Sequence, residues 1–203
     1  MKRIGLFGGT FDPVHIGHIV AAEYVLDACG LERVLFVPTR IPPHKGAPDT
    51  PAEDRFHMVE VAVADRPGLG VSRVELDREG PSYTVDTLRY LRTRHPDVRF
   101  AWIIGADQLL GFPMWKSPEE IVSLADLIAV VRPGYNEHKG MDFVRKQFPR
   151  AALEVVEMPR LEVSSSELRA RLEAGRTVSV LVPQAVQELI RAKGLYKRAG
   201  RVR

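Results

Sequence analysis

A single cysteine, Cys29, in 203 residues excludes an internal disulfide and any cysteine-based metal site, and it suits a reducing cytoplasm. Cys29 itself reads as a small core residue. No window reaches the roughly 18 apolar residues of a membrane span, and the N-terminus lacks the apolar segment of a signal peptide. A soluble, cytoplasmic protein with no membrane partner is expected. Neither G-x-G-x-x-G nor G-x-x-x-x-G-K-[ST] occurs, so a dinucleotide oxidoreductase and a P-loop enzyme both lose support. Internal repeats and low-complexity linkers are absent too. Charge of one sign is scarce: 29 basic residues face 26 acidic ones, leaving a net charge of +3. The basic residues are spread along the chain rather than gathered in a stripe, which argues against nucleic acid and suits an anionic small molecule.

What is present is apolar patterning. Runs at Ile4–Phe7, Val34–Val37, Val71–Val74, Phe100–Ile104, Leu127–Val131 and Leu153–Val156 alternate with helical patterns or loops. This predicts an α/β fold: a Rossmann-like doubly wound sheet, mostly parallel, with helices on both faces. With 45% apolar residues, 1–203 is expected to be one domain, its basic tail at 197–203 frayed. Thr50-Pro51-Ala52-Glu53 and Ser117-Pro118-Glu119-Glu120 each offer a hydroxyl cap, proline at N1 and glutamate at N3. Pro183 opens a last helix and Gly194 closes it.

The most informative stretch is Gly8-Gly9-Thr10-Phe11-Asp12-Pro13-Val14-His15-Ile16-Gly17-His18. A strand, a glycine turn and a helix start in that order present free backbone N–H groups and a positive dipole end to an anion. If the helix begins near Asp12 or Pro13, His15 and His18 lie at i and i+3 on one face, and Gly17 lets a ligand approach the backbone. Both imidazoles can then donate to one phosphate. No carboxylate or third histidine is placed to complete a metal site. The proline-stiffened loop from Pro38 to Pro48 presents His44 and Lys45. In a doubly wound sheet that loop, the glycine turn and Gly105-Ala106-Asp107 should converge beyond the C-terminal ends of the strands.

Ser164 and Glu167 have the spacing of a capping box, so a helix starts at Ser164-Ser165-Ser166, with Arg169 about a turn further on. That arrangement can grip a polyphosphate or serve merely as a cap. Arg132 adds a candidate bidentate phosphate donor, or an ordinary surface arginine before a turn. Ser82 or Thr84 can cap the helix running toward Arg94, leaving N–H groups beside Tyr83 that suit a carboxylate on an aromatic ring. Trp115 is placed either to stack on that ring or to pack half-buried. Asp107 can accept from a ribose or cap a helix.

Taken together these residues resemble the H-x-G-H nucleotidyltransferase superfamily, and more closely the bacterial nicotinate mononucleotide adenylyltransferases. Gly8–Pro13 with His15 and His18 resembles the first motif, Pro42-Pro43-His44-Lys45 the second, and Ser82–Leu88 the substrate-side motif. Thr10, Val163 and Ser166 depart mildly from the commoner residues, keeping hydroxyl or apolar character. The resemblance implies transfer of AMP from ATP to nicotinate mononucleotide, releasing pyrophosphate, in NAD biosynthesis, with Mg²⁺ arriving mainly on the ATP phosphates. It implies catalytic roles for His15, His18, Lys45 and Arg169, and ATP contacts from Gly8, Gly9, Thr10, Phe11, Gly105, Asp107, Arg132, Ser165 and Ser166. His44, Ser82, Tyr83, Thr84 and Trp115 fall on the acceptor side. His15-Ile16-Gly17-His18 also spells the signature of class I aminoacyl-tRNA synthetases, but 203 residues leave little room for tRNA-binding domains. A non-catalytic nucleotide sensor is a further reading, although every catalytic position of the family pattern is filled. Homo-oligomerisation is left open.

Overall fold

The computed structural model describes residues 2–43, 46, 48–131 and 138–197. Six strands form one sheet in the order β3-β2-β1-β4-β5-β6. They are β1 (Lys2–Gly9), β2 (Arg33–Pro38), β3 (Leu69–Val71), β4 (Val98–Gly105), β5 (Ala125–Val131) and β6 (Leu153–Glu157). Every pairing is parallel, with Leu6 of β1 opposite Leu35 of β2 and Trp102 of β4. The helices are α1 (Ile16–Ala28), α2 (Ala52–Val63), α3 (Thr84–Arg94), α4 (Pro118–Leu124), α5 (His138–Gln147), α6 (Ser165–Glu173) and α7 (Gln184–Lys193), and a 3-10 segment spans Ala106–Met114.

Buried strands of a parallel sheet carry apolar side chains on both faces, alternating with period two. Phe36, Ile103 and Ile128 accordingly pack into one core with Val25, Met58, Leu168 and Val186 from α1, α2, α6 and α7. Leu6, Trp102 and Leu127 pack into the other with Leu88, Ile121 and Val144 from α3, α4 and α5. Helices thus cover both faces, as expected. The strand order reverses between β1 and β4, which places a crevice beyond their C-terminal ends.

Several local expectations need correction. The third strand is Leu69–Val71 rather than Val71–Val74: Val71 pairs with Phe36, and the chain then turns away, so Val74 and Leu76 are buried without sheet pairing. Helix α1 starts at Ile16, not near Asp12 or Pro13. Phe11 at φ 50° and the cis Asp12–Pro13 peptide carry the chain through a turn first. Thr50 does not cap α2; Pro51 is the N-cap, and the Thr50 carbonyl accepts from Arg55 Nε. Ser117 is the N-cap of α4 with Pro118 at N1, but at φ 52° its hydroxyl makes no capping bond. Neither Ser82 nor Thr84 caps α3, whose N-cap is Tyr83. Gly194, at φ 65°, does close α7, which opens after Pro183. Cys29 is half-buried rather than fully in the core, at the end of α1, where burial pushes its thiol up to about 11. The frayed tail expected at 197–203 falls outside the described residues beyond Lys197.

Candidate active site

The turn after β1 delivers His15 as the N-cap of α1, with extended backbone at φ −145° and ψ 171°, and His18 as its N3 residue. The H-x-G-H spacing is therefore capping-box spacing with imidazoles in both places. The His15 N–H donates to His18 Nδ1 at 3.3 Å, and the two rings stack with centroids 3.7 Å apart and planes 22° apart. Phe11 meets the His18 ring edge-on at 5.0 Å. Gly17 lines the cleft and also has a packing reason: a Cβ there would sit 2.9 Å from Val163 Cγ1 and 3.2 Å from the His15 ring. His15 is buried as a consequence, while His18 is half-exposed.

Helix α6 holds this turn from the other side. Ser164 caps it, accepting from the Glu167 N–H at 3.2 Å, as the sequence pattern predicts. The Ser165 hydroxyl donates to the Pro13 carbonyl at 2.9 Å, and Arg169 donates to the Asp12 carbonyl at 2.6 Å and to Ser166 Oγ at 3.3 Å. Ser165 and Arg169 thus fix the backbone between Asp12 and Pro13 while lining the same cleft as both histidines.

Asp12 is buried, and its Oδ1 accepts from the Tyr196 hydroxyl at 2.6 Å. Burial and this carboxylate push the Tyr196 hydroxyl far above the usual tyrosine range. Arg55 of α2 is 1% exposed. Its guanidinium donates to the carbonyls of Thr10, Thr39, Arg40 and Thr50, tying the turn after β1 to the loop after β2. Five N–H donors in a rigid fork make arginine suited to collecting several carbonyls at once. Burial lowers its pKa, and the charge of Asp12 opposes that shift.

The other end of the cleft is built on the start of α3. Ser82 Oγ accepts from the Arg40 N–H at 2.9 Å, and the Ser82 N–H donates to the Ile41 carbonyl, which joins this segment to the same loop. Tyr83 and Thr84 then open the helix, where the Asp86 and Thr87 N–H groups both donate to the Tyr83 carbonyl. Trp115 is half-buried and packs on Phe112 at 5.4 Å, as one of the two readings given to it expects, and it also lines the cleft. Glu75 lies below, 3% exposed; its Oε1 accepts from the Thr87 hydroxyl at 2.8 Å, and Oε2 has no hydrogen-bond partner among the described residues. Burial raises its pKa.

Gly8, Gly9, Thr10 and Phe11 run along the cleft between the two ends, and Gly105 and Asp107 line it at the end of β4. Asp107 is exposed and folds back over Gly105, where a Cβ would meet its Oδ1 at 2.4 Å. The cleft encloses about 740 Å³. His44, Lys45 and Arg132 lie outside the described residues. Among the described residues no group of three or more His, Cys, Asp or Glu side chains is placed to hold a metal ion, and no helix is long and apolar enough to cross a membrane.

Residues 6–171 match the cytidylyltransferase-like family. Over 197 residues the chain is 45% identical to a protein of Geobacillus thermodenitrificans named "Probable nicotinate-nucleotide adenylyltransferase", covering 97% of this chain and 87% of that one. The chain belongs to the nicotinate-nucleotide adenylyltransferases. A Thermus thermophilus protein of the same name is 46% identical over 96% of this chain and all of its own length. A solved Plasmodium falciparum nicotinic acid mononucleotide adenylyltransferase, complexed with NaAD, superposes with a TM-score of 0.80 over 97% of this chain and 98% of that one. At 20% identity that likeness shows the nucleotidyltransferase fold alone.

Sequence reasoning did not single out four residues in or behind this adenylyltransferase's cleft: Glu75 and Lys116, which line it, and Arg55 and Tyr196, which hold the turn after β1. Charged residues at 55 and 75 read as solvated positions on a helix face and a loop, and nothing local announces that the chain buries them. Lys116 follows Trp115 directly, and an ammonium beside an aromatic in a segment already assigned to an anionic ring was a usable signal.

Proposed function

We propose that the protein, acting as a single nucleotidyltransferase domain in the cytoplasm, transfers AMP from ATP to nicotinate mononucleotide, giving nicotinate adenine dinucleotide and pyrophosphate. An oxygen of the acceptor's phosphate bonds to the α-phosphorus of ATP, and the bond from that phosphorus to the oxygen bridging to the β-phosphorus breaks as pyrophosphate leaves. The nucleophile is already anionic, so no general base is required. Alignment and neutralisation of charge on the α-phosphate and leaving group carry the rate.

The observation that carries this reading is the stacked His15–His18 pair at the start of α1, opening on one cleft with Tyr83, Thr84 and Trp115. His15, His18, Lys45, Arg169, Ser165 and Ser166 serve the triphosphate. Gly8, Gly9, Thr10 and Phe11 carry it along the β1 turn, Arg132 adds a phosphate contact, and Gly105 and Asp107 hold the adenosine. Ser82, Tyr83, Thr84 and Trp115 hold the pyridine ring and its carboxylate, with His44 near the acceptor phosphate. The start of α3 favours a carboxylate over an amide because its N–H groups and dipole attract an anion.

Mg²⁺ enters as part of the nucleotide substrate. Asp12, the carboxylate nearest the histidines in sequence, already has its two oxygens facing Tyr196 and Arg169. That donor set fits a magnesium held by phosphates and water, which needs few protein ligands.

Pyrophosphate release measured with ATP and three acceptors tests the reading. Release with nicotinate mononucleotide, exceeding that with nicotinamide mononucleotide and phosphopantetheine, is expected. Release with phosphopantetheine alone would assign a different transferase, and release with none would leave a nucleotide sensor.

A further inference from the structure

Lys116 is the one cleft-lining cation among the described residues that sits on the acceptor side, and it plays no part in the reading above. Its ammonium lies 4.5 Å from the centre of the Tyr83 ring, at the N-cap of α3. It also pairs with Asp86 Oδ2 at 2.8 Å, its side chain 45% exposed. The other oxygen of that carboxylate, Oδ1, is held by Arg89 at 2.9 Å. Asp86 therefore has two cations, one on each oxygen. Burial alone would push its pKa up, but Lys116, Arg78 and Arg89 outweigh that and hold it below the usual carboxylate range.

Double compensation makes Lys116 available. If the ammonium moves toward an incoming anion, Asp86 keeps Arg89 and is not left bare. Lysine suits such a move, because it is a compact charge on a flexible four-carbon stem. The Tyr83 ring gives the ammonium an attractive surface along the way. An anion carried on a flat ring, placed against Tyr83 and Trp115 at the start of α3, would meet three favourable groups: the helix N–H groups, the dipole end and this ammonium.

Resting on the adenylyl-transfer reading, we propose that Lys116 is a specificity-determining residue, whose ammonium leaves Asp86 to pair with the carboxylate of the bound pyridine nucleotide. The preference for acid over amide then has two sources, the fixed start of α3 and a mobile charge drawn in from Asp86. The second source is screened by salt, because Lys116 is half-exposed.

The test is the ratio of kcat/KM for nicotinate mononucleotide to that for nicotinamide mononucleotide in the wild type, Lys116→Met and Lys116→Arg, with thermal melts to verify folding. Lys116→Met should lower the ratio about tenfold, the equivalent of about 1.4 kcal/mol. Lys116→Arg, which keeps the charge, should restore most of it. The wild-type ratio should also fall between low and high salt more steeply than that of Lys116→Met. An unchanged ratio in folded Lys116→Met, or a ratio in Lys116→Arg as low as in Lys116→Met, would overturn the role of Lys116 while leaving adenylyl transfer intact. A wild type that does not turn over nicotinate mononucleotide would instead overturn the reading beneath it.

Discussion

The backbone N–H of His15 donates to Nδ1 of His18 at 3.3 Å, so the more exposed of the two stacked rings serves as a helix cap and also lines the cleft. An accepting Nδ1 puts the proton of the neutral ring on Nε2. Two amide substitutions separate the tasks. His18→Asn keeps a side-chain acceptor near the Nδ1 position, whereas His18→Gln carries its amide nitrogen close to the Nε2 position. His18→Ala should cost on the order of 10²–10³ in kcat, the scale for one charge-stabilising donor. His18→Gln should retain more activity than His18→Asn, and His18→Asn should melt nearer the wild type. The reverse order in both measurements would show that Nε2 is not the working atom.

Gly17 and Val163 offer a packing test of how the His15 ring is held. A methyl at position 17 would lie 2.9 Å from Val163 Cγ1, so Gly17→Ala should destabilise by about 1–3 kcal/mol and lower kcat by displacing His15. Val163→Ala removes the obstructing atom. The double variant should therefore recover part of both losses, and denaturant melts with steady-state rates would show it. Additive losses would place the obstruction elsewhere.

Arg55 joins two loops through four carbonyls, and removing it leaves all four without their donor. Arg55→Met should destabilise by about 3 kcal/mol or more, since each buried acceptor left bare costs about 1–3 kcal/mol. Arg55→Lys should fold better, yet its ammonium cannot reproduce the fork. KM for both substrates should rise in Arg55→Lys, because the turn after β1 and the loop after β2 lose their register. A change in KM for only one substrate would limit the clamp to one loop.

Glu75 gives a pH signature. Its folded-state pKa is raised by burial, so above the ordinary glutamate value of 4.5 the folded protein keeps a proton that the unfolded chain has lost. Stability from this group is complete below that value and falls as pH rises toward the folded one. Glu75→Gln has no such proton and keeps an acceptor for Thr87. The variant's stability relative to the wild type should therefore grow as pH is raised above about 4.5, as read by denaturant melts across the range. A difference independent of pH would mean that Glu75 is ionised at no special cost.

How much of this was legible beforehand depended on whether a signal was local. The strand and helix alternation, the Ser164 cap and the Gly194 stop depend on neighbouring residues, and each was readable. The start of α1 was not, because the turn before it is held by partners more than 150 residues away, the Ser165 hydroxyl on the Pro13 carbonyl and the Tyr196 hydroxyl on Asp12. Ser82 is similar: its spacing suits a cap, but the Arg40 N–H claims its hydroxyl from another loop. Burial of Arg55 and Glu75 is wholly tertiary, and a single sequence carries no mark of it.

The most direct measurement follows the α-phosphorus. With ATP labelled at that atom, enzyme in excess and nicotinate mononucleotide present, one turnover should place the label in the dinucleotide as unlabelled pyrophosphate appears, with none bound to protein. Label held on the protein before dinucleotide forms, or released only as AMP, would contradict direct transfer within this cleft.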